Sequence, residues 1–251
     1  MTESDAKELP TELSEGSAAL GIFLRPAATF AALVRKPTWW LPFVSGVLVS
    51  AFFGFVMADK IDYDTSMRQA IEKRMARSVL SLPAAEMEKS VDRAVEMQRK
   101  MAPYSPTIGA VGYSFFFFLL ALVLAFSAGA FGAEAKLSVY LAIYSHAQIP
   151  LVLRSAYGAV RLLTAGDGSV TFDRLGRIGT LGAGLFIPPS SPAVLAALAA
   201  SLDVFVLATL GLLIVGFRRL PGLSPRSAVG VPLALWSVLV LLRLGWAAVF
   251  G

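Results

Sequence analysis

The sequence predicts an all-α membrane protein with five transmembrane helices, an interfacial N-terminal helix and an extramembrane helical hairpin between spans 1 and 2. Three observations predict it. Hydrophobic residues make up 56% of the 251 residues and charged residues only 16%, whereas a soluble domain carries about a quarter charged residues because its surface faces water. Mean hydropathy is accordingly +0.69. The charges are also segregated, with 13 of the 22 Lys and Arg and 13 of the 17 Asp and Glu lying before Ser105. Finally, five apolar stretches are each long enough for a hydrocarbon core of about 30 Å, which takes about 20 helical residues.

Taken in order, residues 1–20 form a polar tail rich in Glu and Asp, expected to be disordered, and 21–251 form the membrane domain. The tail shows no apolar core behind a basic start, so no cleavable signal peptide is expected and the first span serves as its own insertion signal. The stretch RPAATFAALVRKP, from Arg25 to Pro37, reads as a short amphipathic helix. Pro26 suits the first turn, and Phe30, Leu33 and Val34 form an apolar stripe flanked by Arg25, Arg35 and Lys36. It either lies in the membrane interface or caps the helical bundle.

Span 1 covers about 40–58 and carries Trp39 and Trp40 at its start, where interfacial aromatics are favoured. Span 2 covers about 107–129, span 3 about 138–163, span 4 about 196–216 and span 5 about 230–250. Between spans 1 and 2, about 59–105, lies the long polar segment. Met67, Ile71, Met75 and Val79 repeat at helical spacing. After the break at Ser81-Leu82-Pro83, Met87, Val91, Ala94, Val95 and Met101 share a second face. This is the hairpin, salt-laced by nine basic and eight acidic residues. The Gly- and Pro-rich connection from Ala165 to Pro192 is either half-buried at the interface or a plain surface loop.

Orientation follows from the basic residues. Arg218, Arg219 and Arg226 crowd the loop between spans 4 and 5, whereas no charge follows Phe250. The positive-inside rule then places that loop and the N-terminus in the cytoplasm and the C-terminus outside.

Ionisable residues inside spans are costly and mark a function or a structural pair. Counted from the cytoplasmic helix ends at about 1.5 Å per residue, Arg154 lies about 24 Å up and Asp203 and Arg243 about 20 Å up. They share one level, and Asp203, the one acid within a span, is the natural partner for either arginine. The cluster either locks spans 3, 4 and 5 together or forms a binding pocket for an anionic headgroup or solute. In a third reading an arginine snorkels to the interface unpaired. His146, about 12 Å up span 3, is either an interhelical hydrogen-bonding group or a proton relay. Pro150 should kink span 3 beside it.

The same residues exclude several classes. The pI near 9.6 comes from scattered juxtamembrane charges rather than a basic stripe, so no nucleic-acid partner is expected. The chain has no Cys and one His, which excludes thiolate chemistry, disulfides and multi-His metal sites. No cofactor is expected: GTLGAG, from Gly179 to Gly184, does not link a strand to a helix as a dinucleotide loop would. Ser145 and His146 are adjacent in sequence and cannot face one another on a helix. The protein is therefore read as a non-enzyme.

Three stretches carry a family resemblance: FLRPAATFAALVRKPTWWLPFV leading into span 1, YLAIYSHAQIPLVL in span 3, and SLDVFVLATLGLLIVGFRRLPGLSPRSAVGV across spans 4 and 5. In order and spacing they resemble the Yip1 domain family (Yip, for Ypt-interacting protein) of five-span membrane proteins. Pro26, Pro150, Asp203 and Phe205 match the family's pattern; His146 and Arg154 depart from it. The resemblance implies a trafficking or membrane-organising class in which eukaryotic members bind Rab-type GTPases through an N-terminal cytoplasmic region. That region is short here, which speaks against Rab binding, and the Ala-, Leu- and Arg-rich usage points to a bacterial inner membrane. The function expected is a non-enzymatic organiser of partners, namely the lipid bilayer and other membrane proteins or a second copy. The alternative is a permease, channel or lipid-handling protein using Arg154, Asp203 and Arg243.

Overall fold

The computed structural model describes residues 14–75, 83–188 and 191–250, and all of its regular elements are helical apart from two isolated β-bridges. Two compact units emerge. The first gathers Met1–Gly46, Ser114–Leu151 and Phe205–Leu241, and the second Val47–Tyr113, Val152–Val204 and Leu242–Gly251.

Among the described residues, three helices are long and apolar enough to cross a membrane: α3 (Trp40–Lys60), the rod Ala85–Ala130, and α12 (Pro225–Phe250). The protein is an integral membrane protein. The rod joins α5 (Ala84–Met101) and α6 (Ser105–Ala130) through a 3-10 turn at Ala102–Tyr104, so the helix runs on where the sequence marks a boundary near Ser105. Pro103 sits in the first positions of that turn, where a missing N–H costs nothing. α3 and α6 approach closely at small residues: a Cβ on Gly54 would lie 2.5 Å from the Ser105 carbonyl, and one on Gly109 2.6 Å from that of Ser50, the packing that membrane helices favour.

The other two expected crossings are each divided. Span 3 becomes α7 (Leu137–Ala147) and α8 (Ile149–Leu163). Pro150 has no N–H to bond the His146 carbonyl, and the Gln148 N–H turns back to His146 and Tyr144 instead. Span 4 becomes α10 (Ala193–Ser201) and α11 (Val204–Phe217), interrupted at Leu202 and Asp203.

In the first unit, α1 (Glu15–Leu24) begins at the N-cap Ser14, whose side chain accepts the Ser17 N–H. Helix therefore replaces the expected disordered tail from Glu15 onward, and 1–13 lie outside the described residues. α2 (Pro26–Arg35) starts on Pro26 as expected, but Phe30 and Leu33 are buried. Phe30 reaches the backbone of Gly216 on α11, where a Cβ would lie 3.2 Å from its ring. The stripe read as membrane-facing is thus covered by protein, the arrangement of a helix capping the bundle.

In the second unit, α4 (Tyr63–Met75) and α5 are drawn together by the ion pairs Arg68–Glu88 (3.1 Å) and Arg99–Asp64 (2.7 Å), over buried Val91 and Val95. Val79 and Ser81-Leu82 lie outside the described residues. The connection after α8 folds onto the end of α3. Asp62 donates its N–H to Val170 O (2.9 Å), Val170 donates to Lys60 O (3.1 Å), and Val56, Ile61, Leu162 and Val170 form a buried cluster beneath. Within it, α9 (Phe172–Leu175) is tied back by the Phe172 N–H to Ser66 Oγ (3.2 Å) and by the Lys73–Asp173 ion pair. The start of the connection is thus partly covered by protein at Val170, Phe172 and Leu175, while Leu181, Leu185 and Phe186 further along it are exposed.

Candidate functional site

Asp203 occupies the break that precedes α11 and is 1% exposed. A carboxylate buried this deeply demands donors, and one comes from an unexpected place. The loop Ile178–Phe186 passes alongside, and the Leu181 N–H donates to Asp203 Oδ2 at 2.8 Å. The strand-like contact is completed by the Val204 N–H donating to Leu181 O (2.9 Å) and by the Gly182–Asp203 bridge. Gly182 is required: a Cβ there would lie 2.4 Å from the Leu202 carbonyl. Gly179, at φ +83°, turns the same loop against α8, where an added Cβ would lie 3.1 Å from the carbonyl of Arg154. The negative charge also sits at the N-terminal end of α11, where the helix dipole favours it.

The partner expected for Asp203 was an arginine, and the geometry that emerges is a carboxylate holding a backbone loop. Arg154 on α8 and Arg243 on α12 both fall in the second unit. Among the described residues neither guanidinium makes a hydrogen bond or ion pair. Arg154 is half-buried on α8 and Arg243 exposed on α12.

His146 belongs to the first unit and not to that group. It is fully buried near the end of α7, with Nδ1 2.9 Å from Ala142 O and 3.3 Å from Ser145 Oγ. Ser145 Oγ also donates to Ala142 O (3.1 Å), so the adjacent Ser and His share one carbonyl rather than forming a nucleophile–base pair. His146 Nε2 meets no hydrogen-bond partner among the described residues, and neither do Thr209 Oγ1 and Trp236 Nε1. Sequence reasoning missed Leu181, Thr209 and Trp236. A backbone donor carries no side-chain signal, and an isolated Thr or Trp in an apolar helix looks like core. The described residues hold no group of His, Asp and Glu placed for a metal ion.

No match was found among curated proteins or among solved structures. A family model for the Yip1 domain, a family not known for enzymatic activity, matches residues 20–247. That match covers α1 through most of α12, including the Asp203 break and the loop after α11, and the chain belongs to the Yip1 domain family.

Proposed function

We propose that this is a non-enzymatic, five-span protein of a bacterial inner membrane that organises partner proteins there. The crossings are α3, α6, α7–α8, α10–α11 and α12, with the α4–α5 pair as an extramembrane hairpin. Arg25, Arg35, Lys36, Arg218, Arg219 and Arg226 support a cytoplasmic N-terminus and an outer C-terminus by the positive-inside rule. One observation carries the role. The rod Ala85–Ala130 bears an uninterrupted apolar row, Met97, Met101, Tyr104, Ile108, Val111 and Phe115, at alternating spacings of four and three. Every member is exposed, Met97 at 66% and Tyr104 at 60%. Lipid covers the row beyond Ser105; Met97 and Met101 lie on the polar side and call for a protein partner.

The test is a photocrosslinking residue at Met97 or Met101 in native membranes, with Phe115 as the lipid-facing control. The expected result is a discrete protein adduct from the first two positions, of twice the chain mass if the partner is a second copy. Lipid adducts alone at all three positions would refute the role.

A second reading rests on the guanidiniums of Arg154 and Arg243, which make no hydrogen bond or ion pair among the described residues. Ionisable residues inside apolar spans mark candidate binding sites, so Arg154 and Arg243 suit a headgroup phosphate or an anionic solute. Single substitutions of either arginine should then abolish anionic-lipid binding or flux in reconstituted vesicles while the protein stays folded. Unchanged binding and flux in both variants would exclude this reading.

A further inference from the structure

We propose that the turns joining α6 to α7 and α11 to α12 form a preshaped seat for the headgroup phosphate of an acidic phospholipid, held by Lys136, Arg218, Arg219 and Arg226. The two turns are locked to each other in the first unit. The Glu134 N–H donates to Pro221 O at 2.9 Å. A Cβ on Gly222 would lie 2.2 Å from the Gly132 carbonyl and 3.4 Å from Glu134 Cγ. Gly132 and Gly222 adopt φ +91° and +76°, which a side chain would strain. Leu220 is buried and pins the second turn, while Lys136, Arg218, Arg219, Arg226 and Glu134 all remain exposed.

Four cations against one acid leave a surplus of three positive charges on these turns. None of the five side chains makes a hydrogen bond or ion pair among the described residues. In the hairpin, by contrast, Arg68, Arg99 and Lys100 pair with Glu88, Asp64 and Glu96. Helix dipoles do not account for the surplus either. Arg218 and Arg219 follow the C-terminal end of α11, where a cation is favoured. Lys136 is the N-cap of α7 and Arg226 lies in the first turn of α12, where a cation is disfavoured, and neither first turn holds an acid. The complementary charge comes from outside the chain.

Its source is set by where the turns lie. Two helices long and apolar enough to span the membrane end here, the rod at Ala130 and α12 at Pro225, so the cations sit in the headgroup layer. Phe131 and Leu137, exposed beside the first turn, suit the acyl boundary next to that layer. A soluble anion would match the cations alone; a lipid matches the cations and the apolar pair together. Clusters of four or more cations beside a spanning helix recognise acidic headgroups, each Lys or Arg contributing roughly fivefold in affinity. The seat uses neither Arg154 nor Arg243. It requires membrane insertion, but neither the partner-organising role nor a particular orientation.

The full chain is reconstituted in vesicles holding phosphatidylglycerol and phosphatidylcholine in equal amounts, and the lipid retained after detergent extraction is counted by native mass spectrometry. Wild type should retain phosphatidylglycerol over phosphatidylcholine, and excess inorganic phosphate should not displace it. Lys136→Gln with Arg226→Gln leaves Arg218 and Arg219 in place to hold the orientation. That pair should cut retention tenfold or more while circular dichroism and melting stay unchanged. If it does not fold, each single substitution, expected to cut retention about fivefold, decides instead. Lys89→Gln with Arg93→Gln removes the same charge from exposed positions on the hairpin and should leave retention intact. Equal retention of the two lipids by wild type overturns the proposal, as does an equal fall in both double variants. Loss on Arg154→Gln with the turn variants unaffected moves the lipid elsewhere and overturns it too. Displacement by inorganic phosphate makes the ligand a soluble anion and does the same.

Discussion

Replacing Asp203 by Ala removes the acceptor of the Leu181 N–H, a bond of 2.8 Å to a carboxylate that is 1% exposed. Hydrogen bonds to charged groups contribute about 1.5–3 kcal/mol, and a donor left unsatisfied in a buried site adds its own desolvation cost. The expected loss is therefore about 2–3 kcal/mol for Asp203→Ala. Asp203→Asn keeps an acceptor oxygen in the same place and should lose about 1 kcal/mol, the difference between a charged and a neutral acceptor. At about 2–4 °C per kcal/mol for a chain of this size, the alanine variant should melt roughly 4–12 °C lower in detergent. The loop Ile178–Phe186 should lose amide-exchange protection well before α11 does, because it is tied to the break through Leu181, Ala183 and Val204. Hydrogen exchange resolved by peptide, beside thermal melting of both variants, checks this. If Asn is as damaging as Ala, the charge matters through the arginines and not through the amide. If the loop stays protected in Asp203→Ala, the carboxylate does not hold it at all.

Two further outcomes can be measured in the same preparations. Gly222→Ala should destabilise the first unit, because φ is +76° there and the new methyl would meet the Gly132 carbonyl at 2.2 Å; Gly230→Ala, with open space around it, should leave the melting temperature unchanged. The Asp62 carboxylate is held below the ordinary carboxylate range by hydrogen bonds from Thr65, side chain first and then the backbone N–H at 2.9 Å. Its contribution to α4 is complete above the unfolded value near 3.8 and is lost as pH falls through the lower folded value. Melting followed from pH 6 down to pH 3 should therefore fall more steeply for wild type than for Asp62→Asn; equal slopes would remove Asp62 from the acid response.

Much of the architecture was legible because a bilayer leaves few choices. Runs such as 40–58 and 230–250 bury their backbone polar groups only as helices, so composition and length alone located α3, the apolar half of the rod and α12. Pro26 starting α2 and Pro150 dividing α7 from α8 were equally readable, since a missing N–H acts locally wherever the chain goes. Periodicity located the buried Val91 and Val95 of α5 but not the exposure of Met101, which was expected on the same face. What periodicity does not carry is which surface covers a stripe, and Phe30 shows this: it reads the same facing lipid or facing Gly216. The partner of Asp203 was hidden for a related reason. Sequence ranks partners by side-chain charge, and only the path of a glycine-rich loop across the break brings a backbone N–H to the carboxylate first. Local residue preferences determined where helices form in this protein; the close approach at Gly182 decided that the Asp203 carboxylate meets the Leu181 N–H.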